Sequence, residues 1–129
     1  MLAGVIGATV ARLLDRTDRS AEDLLAAIGP CIGEEAFEVG PEVIEEFERA
    51  MGDDAPVRRR AGGKGHADLK RAVAIQLRRA GVPKDQIDST DRCTFRDRDE
   101  FYSHRRDRGV TGRMAAIIAP RRSRRAGSA

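Results

Sequence analysis

The chain has no tryptophan, one tyrosine and four phenylalanines, so aromatics make up only 4% of its 129 residues. That scarcity argues against a nucleic-acid-binding module, which stacks bases on aromatic platforms along a groove. Cysteine and histidine are equally sparse, with two of each. Cys31 and Cys93 stand far apart and show no Cys-x-x-Cys spacing. They predict reduced thiols in a cytoplasmic protein rather than a zinc ribbon or a disulfide framework. Long apolar runs are also missing. The stretch from Met1 to Ile6 is apolar, but no basic segment precedes it, and Arg12 and Asp15 cut it short. It predicts neither a signal peptide nor a membrane span.

Charge is what the chain has in quantity. Asp, Glu, Lys and Arg account for 35% of residues beside 40% hydrophobic ones, the balance of a soluble globular chain. The length suits one domain with a modest core. A net charge of +3 overstates the basic character of the body. Arg121, Arg122, Arg124 and Arg125 fall in a Pro-, Ser-, Gly- and Ala-containing tail, residues 120–129, expected to be disordered. Subtracting those four arginines from +3 leaves −1, so a basic chain is no argument for a nucleic-acid partner.

Periodicity predicts three helices. Leu2, Val5, Ile6, Val10, Leu13 and Leu14 recur at helical spacing over about residues 2–15, with no capping residue ahead of them. Gly40-Pro41 opens a second helix whose stripe is Val43, Ile44, Phe47 and Met51. Asp68 caps a third, with Leu69, Val73 and Leu77 on its apolar face and Gly81 ending it. Leu24 to Ile28, Phe37 to Val39, Ile87 to Thr94 and a final Met114 to Ala119 read as extended pieces. Residues 52–65 read as a mobile loop. Its Gly62-Gly-Lys-Gly65 lacks the spacing of a phosphate-binding P-loop. His66, at the start of the third helix, is expected at the surface or in a capping role. The fold class is α+β, a mixed β-sheet flanked by helices.

Two stretches carry the chemistry. Ile28-Gly-Pro-Cys-Ile-Gly33 puts glycines on either side of Pro30-Cys31-Ile32, a tight loop leaving a strand end. Gly29, Pro30, Cys31 and Gly33 are therefore candidate pocket-loop residues, since sites gather at strand ends. From Cys93 to Arg113 no regular period survives, and arginines cluster around Phe101-Tyr102 and His104. Arg105, Arg106 and Arg113 are the candidate phosphate- or substrate-binding residues, because guanidinium groups present fixed forks of donors to oxyanions. The competing reading is a solvated charged surface, with Asp91, Asp97, Asp99, Glu100 and Asp107 as partners.

Taken together, the segments are more specific. Ile28-Gly-Pro-Cys-Ile-Gly-Glu-Glu-Ala-Phe-Glu-Val-Gly40 resembles an IGPxIGxxxxEVG loop. Asp91-Arg-Cys-Thr94, Phe101-Tyr-Ser-His-Arg-Arg-Asp107 and Thr111-Gly-Arg-Met-Ala115 resemble a CT…FYSYRRD…TGRMA ending, with Asp68-Leu69 opening a helix between. In this order they resemble the C-terminal half of the purine nucleoside phosphorylase family, also called the laccase-domain or multicopper polyphenol oxidoreductase family. The match runs from Leu2 to about Ala119, so residues 1–119 read as the C-terminal part of a larger domain. His104 stands where tyrosine is usual, and Glu34-Glu35-Ala36 replaces an often Pro-Cys-Cys-like segment.

The resemblance implies phosphorolysis of adenosine, inosine, guanosine and methylthioadenosine, and deamination of adenosine. It also implies zinc (copper in the older family naming), held by a cysteine and two histidines in motifs upstream of this stretch. Cys31, Cys93, His66 and His104 do not match those positions, so no ligand is assigned here. The expected partners are a purine nucleoside and phosphate, with no membrane or nucleic acid. A missing N-terminal half or self-association would cover exposed apolar surface. The alternatives are a catalytically inactive fragment or a partner-dependent subunit and, more weakly, a nucleic-acid-binding module.

Overall fold

The computed structural model describes residues 4–121. The first residues of the predicted N-terminal helix and the arginines beyond Arg121 lie outside them. Three helices form where the periodicity places them: α1 (Val5–Leu14), α2 (Pro41–Met51) and α3 (Leu69–Arg79). Pro41 occupies the first turn of α2, where its missing N–H costs nothing. The Asp68 carboxylate accepts the Arg71 N–H at 3.0 Å and caps α3. Gly81, at φ +99°, ends that helix in a backbone conformation other residues resist.

Five short strands make two sheets. β2 (Glu38–Val39), β4 (Gly65–Ala67) and β3 (Val57–Arg59) form an antiparallel sheet in the order β2-β4-β3. Glu38 pairs with His66, which in turn pairs with Arg58. The inner face of this sheet meets α2. Val39, Ile44, Phe47, Met51, Ala67 and Ala72 form the core, with Ile44 wholly buried. Gly65 is fixed by that packing, because a Cβ there would meet the Arg58 carbonyl and come within 2.8 Å of Ile44 Cδ1.

The second sheet is a parallel pair, β1 (Ala26–Ile28) with β5 (Ile87–Ser89), with Ala26 opposite Ile87 and Ile28 opposite Ser89. Helix α3 touches both strands and α1 packs on α3. Little of α1 is covered. Val10 is buried, whereas Val5 and Leu13 are exposed. No helix among the described residues is long and apolar enough to cross a membrane.

Several expectations are corrected. Residues 52–65 are not one loose loop, since they hold β3 and turn back into β4. His66 lies in β4, not at a helix start, and is only 5% exposed. The strand predicted over Leu24–Ile28 is shorter and leaves Leu25 outside, while that over Ile87–Thr94 stops at Ser89. Met114 to Ala119 is not a buried strand. It runs without regular structure, and Ile117 is 94% exposed. An apolar segment becomes a strand only where a sheet edge and a covering layer receive it.

Candidate functional site

The two motif stretches come together beyond the ends of β1 and β5. Cys31 and Cys93 pair in an isolated parallel bridge, and the Thr94 N–H donates to the Cys31 carbonyl at 3.0 Å. The chain on either side lines a cleft of about 910 Å³, with Gly33 to Ala36 on one wall and Asp91, Cys93, Phe95, Arg96, Arg98 and Arg106 contributing to the rest. Of the predicted pocket loop, Gly33 lines this cleft. Gly29 instead borders a depression shared with Ile117 and Ile118, and Pro30 is exposed.

The turn after β5 is tightly held. Lys70 of α3 donates through Nζ to the carbonyls of Thr90 at 2.5 Å and Arg92 at 2.7 Å. Asp97 accepts from Arg96 Nε and Nη2 at 2.9 and 3.1 Å, and from the Cys93 N–H at 2.8 Å. Hydrogen bonding from Arg96, then from the Cys93 backbone, holds the Asp97 carboxyl down at about 2. Cys93 Sγ accepts from the N–H groups of Gly33 at 3.1 Å and Arg96 at 3.4 Å. Burial pushes this thiol up, but donation from the backbone of Arg96, Gly33 and Phe95 outweighs it and leaves the pKa below its ordinary value. At Cys31 burial prevails and leaves the pKa above its ordinary value. The sequence reading named Asp97 only as a partner in a charged surface and Gly33 only as a pocket-loop residue, and did not single out Phe95 or Arg96 as donors to Cys93.

The three candidate arginines separate. The Arg106 side chain is 13% exposed, and its whole guanidinium is engaged. Nε and Nη2 fork onto Asp107 at 2.9 and 3.0 Å. Nη1 donates to the carbonyls of Thr94 and Phe95 at 2.8 and 3.3 Å, and Nη2 to that of Phe101 at 2.9 Å. Asp107 also accepts from the Ser103 N–H and the Thr111 hydroxyl. Its carboxyl stays below the usual carboxylate range, chiefly through Arg106. Arg106 thus ties three loop segments to one carboxylate.

Arg105 is exposed. It donates to the Glu38 carbonyl at 2.9 Å and lies over the Phe37 ring, 5.3 Å from the centroid. Arg113 is exposed in the irregular C-terminal stretch. Among the described residues no carboxylate pairs with Arg98, Arg105, Arg108 or Arg113, whereas Arg96 and Arg106 each have one and Arg92 has two. The charged-surface reading therefore describes three of these seven arginines.

Zinc sites in proteins draw on three or four His, Cys, Asp or Glu ligands. Among the described residues no three such side chains come together. Cys31 and Cys93 supply two sulfurs. His66 is buried in β4 with Nδ1 lacking a hydrogen-bond partner, and His104 is exposed. The described residues do not fit a zinc centre, and no chemical step is derived through one.

A two-layer α+β arrangement with a cleft built from these motifs defines a known class of protein. The model of the multi-copper polyphenol oxidoreductase laccase family matches residues 1–121. The chain belongs to that family. It is 38% identical over 120 residues to a purine nucleoside phosphorylase, YlmD, of Geobacillus stearothermophilus, covering 92% of this chain and 44% of that protein. It is 37% identical over 105 residues to an adenosine deaminase, RL5, of an unknown prokaryotic organism, covering 80% of this chain and 40% of that one. The crystal structure of YlmD from G. stearothermophilus superposes with a TM-score of 0.80 at 35% identity, over 86% of this chain and 42% of that chain. This chain therefore spans less than half the length of the relatives it matches.

Proposed function

We propose that this chain is the C-terminal, substrate-holding part of a cytoplasmic purine nucleoside phosphorylase-type enzyme. Its substrates are purine nucleosides (adenosine, inosine, guanosine, methylthioadenosine) with phosphate, and adenosine is also deaminated. The relatives' names support the class of reaction. The observation that carries the reading for this chain is the cleft, where motif segments distant in sequence meet and Arg98, with no carboxylate partner among the described residues, lines the wall. In phosphorolysis, phosphate attacks the anomeric carbon as the purine leaves with the bonding electrons. Positive charge grows on the sugar, while phosphate and the departing base carry negative charge. Fixed cations that hold phosphate in line lower that barrier. In this reading Arg105 and Arg113 have donors free for an anion. Arg106 shapes the loop that presents them.

The chain works together with the portion that completes its relatives, as a partner chain or as the rest of a longer protein. A specific observation favours this partner-dependent form over an isolated catalyst: Val110, Ile117 and Ile118 are exposed on the C-terminal stretch.

Inosine cleavage, followed as phosphate-dependent release of hypoxanthine, tests both parts. The chain is assayed alone and with the completing portion of a relative added. Activity that appears only in the mixture supports the reading; none under either condition overturns it. In the active mixture, Arg105→Ala and Arg113→Ala should each lower kcat/KM by about 1.5–3 kcal/mol with the melting temperature unchanged. Arg106→Ala should lower both.

A further inference from the structure

The chain's only two cysteines, far apart in sequence, face each other across a backbone bridge. Paired residues on neighbouring strands lie about 4.8 Å apart and project to the same side. That spacing falls inside the Cα window of about 4.4–6.8 Å that a disulfide needs. Both thiols are free. Their surroundings differ. Cys93 borders the cleft and its sulfur accepts backbone N–H groups from Gly33 and Arg96. Cys31 is half-buried, and its thiol donates weakly to the Ile32 carbonyl at 3.4 Å. One sulfur is set up as the thiolate and the other as a protonated neighbour.

We propose that Cys31 and Cys93 form a redox-responsive dithiol at the cleft, closed to an internal disulfide by hydrogen peroxide and reopened by thiols. The Cys93 thiolate attacks one peroxide oxygen, the O–O bond breaks, and hydroxide leaves to take up a proton as water. The sulfur of Cys31 then displaces the hydroxyl of the Cys93 sulfenic acid. A sulfur–sulfur bond forms, and a second water leaves with the Cys31 proton. Two thiols are oxidised by two electrons and one peroxide is reduced. The support of this sulfur from Gly33 is close, since a Cβ on Gly33 would come within 3.3 Å of Cys93 Sγ. Closure redirects the sulfur from these donors and ties the Gly33–Ala36 wall to the opposite one. The proposal stands independently of the nucleoside chemistry.

The test uses the reduced, folded chain, with circular dichroism confirming its fold before and after. It is exposed to a small excess of hydrogen peroxide, blocked with iodoacetamide and weighed intact. The expected product has lost two hydrogen masses, takes up no iodoacetamide, yields one Cys31–Cys93 linked peptide and reverts with dithiothreitol. Cys31→Ser should leave a sulfenic acid on Cys93 that dimedone traps. Cys93→Ser should slow oxidation of Cys31 by about tenfold or more, as expected when the stabilised thiolate is removed. Accumulation of sulfinic acid on Cys93 in the unaltered chain, without the internal disulfide, overturns the proposal. So does a disulfide-linked dimer in its place, or equal peroxide reactivity of the two single variants.

Discussion

The two sheets of this molecule differ in how far they complete themselves. The β2-β4-β3 sheet is antiparallel, its strands are joined through local connections, and α2 covers its inner face with Ile44, Phe47 and Met51. The β1–β5 pair is parallel, about half of the described chain, residues 29–86, separates its strands, and only two strands are present. Parallel sheets ordinarily carry cover on both faces. Here α3 supplies one side, while the exposed Ile117 and Ile118 lie by the depression bordered by β1 and β5. Hydrophobic burial stabilises the first sheet from within. The second retains apolar surface that a further layer would bury.

The contrast can be broken most strongly at Ile44. Ile44→Ala removes a fully buried side chain at the centre of the closed sheet, and should cost about 3–4 kcal/mol in urea unfolding. A loss below about 1 kcal/mol would mean that α2 and this sheet are not the stabilising centre.

Acid should act next, on the turn after β5. The Asp97 carboxyl is held at about 2 in the folded chain against an ordinary 3.8. A depressed folded-state pKa contributes stability that is fully present above the unfolded value and lost as pH falls through the folded one. Unfolding followed by near-ultraviolet absorbance or fluorescence should therefore show stability falling between about pH 4 and pH 2. Asp97→Asn should flatten that segment of the profile. An unchanged profile in the variant would assign the acid sensitivity elsewhere, with Asp107 the next carboxylate to test.

The smallest effect belongs to the open side. Ile117→Asp replaces a side chain that is 94% exposed and should change unfolding stability by no more than about 0.5 kcal/mol. It should reduce self-association seen by light scattering, because it charges an uncovered apolar stretch. A large stability loss would show that Ile117 is already packed in solution.

The helices were legible because their apolar residues repeat with the turn of the helix, and because Pro41, Asp68 and Gly81 mark their ends chemically. The β3–β4 hairpin was not. Val57-Arg-Arg59 and Gly65-His-Ala67 have neither the alternation nor the β-branched content that announces a strand. They are extended because Gly65 admits the Arg58 carbonyl and Ala67 packs against α2. Met114 to Ala119 failed in the opposite direction. Its composition suits a strand, but pairing depends on an available edge, which composition does not reveal.

By itself the sequence determined the three helices, the mixed α+β class and the motif segments around Cys31 and Cys93 through which family membership could be read. These follow from local periodicity, capping chemistry and residue order, which need no knowledge of distant contacts. Only the tertiary structure decided that Arg106 is enclosed by Asp107 and three carbonyls while Arg105 and Arg113 face outward. It alone set the two cysteines opposite each other. An arginine carries the same charge in either setting, and a cysteine the same sulfur. What separates their roles is which donors and acceptors the fold brings within about 3 Å, and that depends on contacts between segments far apart along the chain.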